Sequence, residues 1–113
     1  MNISERTVGA VQVLDLNGQL KLGTASAQLL ADKVRSLLQQ GQRSILVNLK
    51  DVTYMDSAGL GELVQAYATT SRQGGVLKLL HTTSRLHDLL TITKLATVFE
   101  LHDDESAAVA SFT

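Results

Sequence analysis

Short apolar runs alternate with helical periods along this chain. Residues 10–17, AVQVLDLN, read as a strand with mixed alternation, and a weaker strand is predicted before it over Ile3–Thr7. From Thr24 to Gln40 the spacing turns helical. Leu30, Val34, Leu37 and Leu38 share one face, Lys33, Arg35 and Gln39 lie off it, and Gly41 is a stop signal. Residues 44–49, SILVNL, form an almost unbroken apolar run, which predicts a strand buried on both faces. A second helical period follows, with Leu60, Leu63, Val64, Tyr67 and Ala68 at helical spacing and Gly74-Gly75 as its end. Val76–Leu80 predicts another buried strand. Ser84 to about Thr91 predicts a short helix with Leu86, Leu89 and Leu90 inward, and Thr97–Leu101 a final strand. Asp103 is placed as the N-cap of a last helix, DDESAAVASF, with acids in the first turn where the macrodipole favours them.

The predicted order is β(β)αβαβαβα, which implies an α/β fold with right-handed crossovers between parallel neighbours. The expectation is one domain over residues 1–113: a mixed sheet of about four or five strands, with about four helices packed mainly on one side. The composition supports a packed globule, with 44% hydrophobic and 19% charged residues. Ten Lys+Arg against eleven Asp+Glu give a net charge of -1, so there is no electrostatic case for nucleic acid or an anionic membrane as partner. With no cysteine, a disulfide framework, thiolate zinc sites and thiol catalysis are excluded, and the cytoplasm is a compatible location. No stretch approaches the roughly 18 apolar residues of a spanning helix, so no membrane insertion is expected. The start, MNISERTVGAVQV, lacks a basic region followed by a long apolar run, and the chain reads as complete, untargeted and cytoplasmic.

One segment carries a chemical signal. Asp56-Ser57-Ala58-Gly59-Leu60-Gly61 lies where a buried strand hands over to an amphipathic helix. Small residues there let the backbone turn sharply, and Ser57 or Asp56 can cap the free N–H groups. A hydroxyl at a helix start is exposed, and a phosphate added there meets favourable backbone dipoles. In isolation such a serine reads as a plain N-cap.

Residues 45–63, ILVNLKDVTYMDSAGLGEL, resemble the central stretch of the STAS family, the anti-sigma-factor antagonists and related modules. The resemblance extends to Gly18-Gln19-Leu20, Gly75-Val76-Leu77-Lys78-Leu79 and Leu95-Ala96-Thr97-Val98-Phe99, and covers nearly the whole chain. It implies a STAS-like domain and phosphorylation-controlled partner switching. The unmodified protein binds an anti-sigma factor that is also an ATP-dependent serine kinase. Phosphorylation of the motif serine, Ser57 here, releases the partner, and a Ser/Thr phosphatase resets the switch. No cofactor is implied. Thr53 is a weaker candidate for modification, because some related modules are modified on a nearby threonine. The expected partner-binding set is Thr53, Asp56, Ser57, Ala58, Gly59, Leu60, Gly61 and Leu63, with Lys21 and Thr24 in the neighbouring loop. The alternative is a STAS subunit of a transporter or larger signalling assembly, docking a stable partner without phosphorylation.

Two positions depart from the family pattern. Lys21 stands where many antagonists carry an acid after Gly18-Gln19-Leu20, and Asn48 stands where members often have Asp. Among other residues, Asp51 reads as serving a turn before Val52, and Asp56 as sharing the helix cap. His81, His87 and His102 form no close ligand pair, so no metal site is nominated. A serine hydrolase is set aside, because Met-Asp-Ser-Ala-Gly is not the Gly-x-Ser-x-Gly elbow. No phosphate-binding loop of the Gly-x-x-x-x-Gly-Lys type exists. Arg72, Lys78, Arg85 and Lys94 are scattered and read as solvated faces.

Overall fold

A computed structural model describes residues 2–20, 26–95 and 97–112. The elements are β1 (Asn2–Val8), β2 (Val11–Leu20), α1 (Ser26–Gln39), β3 (Ser44–Met55), α2 (Ser57–Arg72), β4 (Val76–Leu80), α3 (Ser84–Ile92), β5 (Leu101–His102) and α4 (Glu105–Ala110). Gly9, at φ 61°, turns β1 back on β2 as an antiparallel hairpin, and Val8 pairs with Val11. The remaining neighbours pair in parallel, in spatial order β1-β2-β3-β4-β5. Each parallel step moves the same way across the sheet, so right-handed crossovers put α1, α2 and α3 on one face. Their inward residues, among them Leu30, Leu37, Leu63 and Leu86, join Leu14, Ile45, Val47 and Leu79 of that face in one core.

The other face is covered in part by α4. Ala108, Val109 and Phe112 pack on Val11, Val13, Leu46 and Leu80. Lys78, expected on a solvated face, is instead only 8% exposed. It sits on the inner strand β4 beneath the α4 side, where its Nζ donates to the Ser111 carbonyl and hydroxyl (2.9 Å each) and pairs with Glu100 at 2.7 Å. Its ammonium also lies 4.7 Å from the Phe112 ring centre.

Three further expectations are corrected. The strand predicted over 44–49 continues to Met55, and Asp51 lies within it, paired with Asn17. Between the Asp15–Asn48 and Asn17–Asp51 pairs, and again between Gly18–Val52 and Gln19–Tyr54, β3 carries one residue more than β2. These irregularities change the period of burial from two to three, so that Leu49, Val52 and Met55 point inward. Residues 97–99 form a turn, not a strand. Phe99 is buried there by an edge-to-face contact with Tyr67, ring centres 5.3 Å apart, and only Leu101–His102 pairs with β4. The last helix is capped by Asp104, not Asp103, its carboxylate accepting from the Ala107 amide at 2.9 Å. In α2, Ala66 and Thr70 are buried along with Leu60 and Leu63, while Val64 and Tyr67 are partly buried. The helix is flanked by both α1 and α3, which widens its inner face.

Candidate functional site

The switch from β3 to α2 is made by a single residue, Asp56. Its backbone is extended (φ -112°, ψ -175°), and its carboxylate accepts the Gly59 amide at 2.8 Å while its carbonyl accepts the Leu60 amide at 3.0 Å. Asp56 is therefore the N-cap and Ser57 the first residue of the helix. The capping work that the sequence left open between the two belongs to Asp56. Ser57 is exposed, and among the described residues its hydroxyl makes no hydrogen bond.

Gly59 holds this turn against the end of β2. A Cβ built on it would lie 2.0 Å from the Leu20 carbonyl oxygen and 2.8 Å from the carbonyl carbon, so only glycine fits. The same Leu20 oxygen accepts the Asp56 amide at 3.4 Å. Gly59, Leu60 and Leu63 are buried and seat the helix. Ser57 and Gly61 face outward, and Asp56 and Ala58 are half-buried. Thr53 is exposed on β3, with its hydroxyl donating to the Gly18 carbonyl at 3.2 Å. Lys21 and Thr24, with the rest of 21–25, lie outside the described residues. Asn48 donates to Asp15 at 2.7 Å and accepts the Lys50 amide at 3.1 Å, which satisfies its amide.

β3 outruns β4, pairing with it only over 44–48, and α3 begins beside the overhang. The result is a groove of about 340 Å³ lined by Val52, Thr53, Tyr54, Met55, Thr83 and Arg85. Tyr54 is 46% exposed. Arg85 Nε donates to the Met55 carbonyl, two residues before Ser57, at 3.4 Å. Sequence reasoning missed Tyr54 and Arg85 as neighbours of Ser57. Arg85 lies thirty residues beyond Met55, and no periodicity marks a contact made by topology.

The imidazoles serve elsewhere. His87 Nε2 lies 2.7 Å from Thr82 Oγ1, and His102 Nε2 lies 2.6 Å from Glu100. His81, in the left-handed region at φ 55°, borders a polar cavity with Arg6, Asp15 and Glu105. In that cavity Arg6 bonds both carboxylates, donating to Asp15 at 2.7 Å. Burial raises the affinity of Asp15 for a proton, but the Arg6 and Asn48 hydrogen bonds outweigh it, so the carboxyl titrates below its usual range. The Arg6 hydrogen bond also lowers Glu105. Among the described residues no three His, Cys, Asp or Glu side chains gather as a metal cluster, and no helix is long and apolar enough to cross a membrane.

Similarity to known proteins covers this whole arrangement. The anti-sigma-B factor antagonist of Bacillus subtilis is 35% identical over 101 residues, 89% of this chain and 92% of that protein. The anti-sigma-B factor antagonist of Staphylococcus aureus is 29% identical over 91% of this chain and 94% of its own length. Among solved structures, a candidate anti-sigma factor antagonist from Thermotoga maritima superposes with a TM-score of 0.86 at 26% identity, over 97% of this chain and 93% of that one. The Bacillus cell-fate determinant SpoIIAA in its phosphorylated form shares the fold at 18% identity, with a TM-score of 0.77 over 99% of this chain and all of that one. The STAS domain pattern itself matches residues 2–108, and with it the chain belongs to the STAS domain family.

Proposed function

We propose that this protein is an anti-sigma-factor antagonist that works by partner switching, with Ser57 as the modified residue. The observation that carries this reading is the exposed, uncommitted Ser57 hydroxyl on the first turn of α2, in a chain 35% identical to an anti-sigma-B factor antagonist along nearly its full length. The unmodified protein binds an anti-sigma factor through the exposed side of the turn: Thr53, Ser57 and Gly61, with Asp56, Ala58 and the Lys21 and Thr24 loop. The partner is also a serine kinase. Ser57 Oγ attacks the γ-phosphorus of ATP, the bond from that phosphorus to the ADP oxygen breaks, and the hydroxyl proton passes to a base on the kinase. A Ser/Thr phosphatase hydrolyses the ester and restores the hydroxyl. In this cycle the chain is a binder and a substrate, works without a cofactor, and acts in the cytoplasm.

The magnitudes are sufficient. A phosphoserine adds a charge of about -1.5 to -2. Pressed into an interface beside Asp56 with no counter-charge from the partner, it costs several kcal/mol of desolvation. A 100-fold loss of affinity needs only about 2.7 kcal/mol. The rival reading, a STAS subunit of a transporter assembly, is supported by fold alone: a sulfate transporter family protein from Wolinella succinogenes matches at 18% identity with a TM-score of 0.70.

The test is incubation with kinase-type anti-sigma factors and ATP, followed by intact-mass measurement and site mapping. One added phosphate on Ser57, absent from Ser57→Ala, is the expected result. Modification elsewhere, or none with any such kinase, contradicts it.

A further inference from the structure

Resting on the reading of Ser57 as the modified residue, we propose that Arg85 is the counter-ion of the Ser57 phosphate, a cation from α3 held in reserve beside the turn. The helix start favours the added charge, but not with its full set of amides. Of its first three amides, that of Gly59 is already taken by the Asp56 carboxylate at 2.8 Å. The same carboxylate is a like charge beside the incoming phosphate, and it weakens the attraction of the dipole. A counter-charge has to come from another element.

Arg85 is placed to supply it. Its guanidinium already reaches the β3–α2 junction, donating from Nε to the Met55 carbonyl. That bond is long, at 3.4 Å, and it uses one of the five N–H donors of the group. Among the described residues Arg85 makes no ion pair, whereas Arg6, Lys33, Arg35 and Lys78 each do. Its position on the first turn of α3, fixed by the Thr83 cap, points it along the groove that Thr53 and Tyr54 share. Two residues of backbone separate Met55 from Ser57, at most about 7 Å between their Cα atoms. The long arginine stem covers such a span by changing rotamer. Arg85 then gains a forked pair with a dianion in place of one long bond to a carbonyl oxygen. Modification is thereby read inside the domain as well as at the interface, because the groove cation is drawn onto the phosphate.

The test uses the full chain with phosphoserine encoded directly at position 57, so no kinase is involved. The second ionisation of the phosphate is followed by phosphorus NMR in the parent, Arg85→Gln and Arg85→Lys proteins. The parent phosphate is expected to ionise about half a pH unit or more below that of Arg85→Gln, a roughly threefold change in proton affinity. Arg85→Lys should fall between them. Melting points complete the cycle: phosphorylation should lower Tm more in Arg85→Gln than in the parent. Identical titrations in the parent and Arg85→Gln overturn the proposal. So does an Arg85→Gln effect on Tm that is the same with and without phosphate, the mark of a purely structural arginine. Failure of the kinase experiment above leaves this result standing. Identical titrations here leave Ser57 modification standing.

Discussion

At the start of α2 the Asp56 carboxylate accepts the Gly59 amide at 2.8 Å, and at the start of α4 the Asp104 carboxylate accepts the Ala107 amide at 2.9 Å. The caps match, but their surroundings do not. α4 is six residues long and could not persist alone, so side chains tie it down at both ends. At one end Arg6 joins Glu105 to Asp15, and at the other Lys78 reaches Ser111 beneath Phe112. α2 is sixteen residues long, sits between α1 and α3, and is seated by backbone contact at Gly59. Beyond the Asp56 cap, its seating draws on apolar packing, so Ser57 stays exposed without a hydrogen bond and Arg85 without an ion pair among the described residues. Charge spent on holding structure marks the α4 end, and charge left over marks the α2 end.

The largest effect that tests this contrast lies at Gly59. Gly59→Ala should cost about 3 kcal/mol in urea denaturation, because its Cβ meets backbone and not a side chain that can move. Gly61→Ala, two residues on and with nothing within 4 Å, should instead stabilise by about 0.5–1 kcal/mol. Equal effects would remove the close approach as the element that seats the turn. The two cations come next. Lys78→Met should lose about 1–3 kcal/mol, since it strips a buried amine from two hydrogen bonds and an ion pair. Arg85→Met, in the unmodified protein, should stay within about 0.5 kcal/mol of the parent. Similar losses in the two would erase the distinction between spent and unspent charge.

Smaller effects sharpen the picture. Asp56→Ala should cost about 1 kcal/mol, the ordinary value of a cap, measured by thermal or urea unfolding. At the α4 end the effect depends on pH. Hydrogen bonds from Lys78 and His102 lower the Glu100 carboxyl to about 2. A lowered folded-state pKa contributes stability above the unfolded carboxylate range, and that contribution fades as pH falls from about 4.5 toward 2. Because the Glu100 side chain is 52% exposed, solvent screens the pair and the effect is modest. Glu100→Gln should lower Tm slightly at neutral pH and flatten its decline over that acid window. An unchanged slope would detach Glu100 from the α4 clamp.

The core of this fold was legible because its period is regular. Leu30, Val34, Leu37 and Leu38 repeat at helical spacing, and Ile45 to Leu49 form the buried run of a central strand. Legibility stopped where tertiary pairing alters the period. The second half of β3 is hidden by its extra residues, and just before Leu101 Phe99 is buried without strand pairing. Burial of Lys78 was unreadable for a related reason: α4 covers it, and a six-residue helix leaves too short a pattern to show where it docks. At the site, Asp56 and Ser57 were found by their place between a strand and a helix. The division of labour between them depends on which carboxylate or hydroxyl meets the Gly59 amide, a matter of one residue in register that composition does not encode. Arg85 arrives at the turn only through the order β3-β4 and the early end of β4.

The most direct test is calorimetric titration of a kinase-type anti-sigma factor with two forms of the full chain, one bearing a free Ser57 and one bearing phosphoserine at that position. Tight binding of the free form and affinity about 100-fold weaker for the phosphorylated form, both with the same circular dichroism, is the predicted result. Equal affinities for the two forms would contradict it.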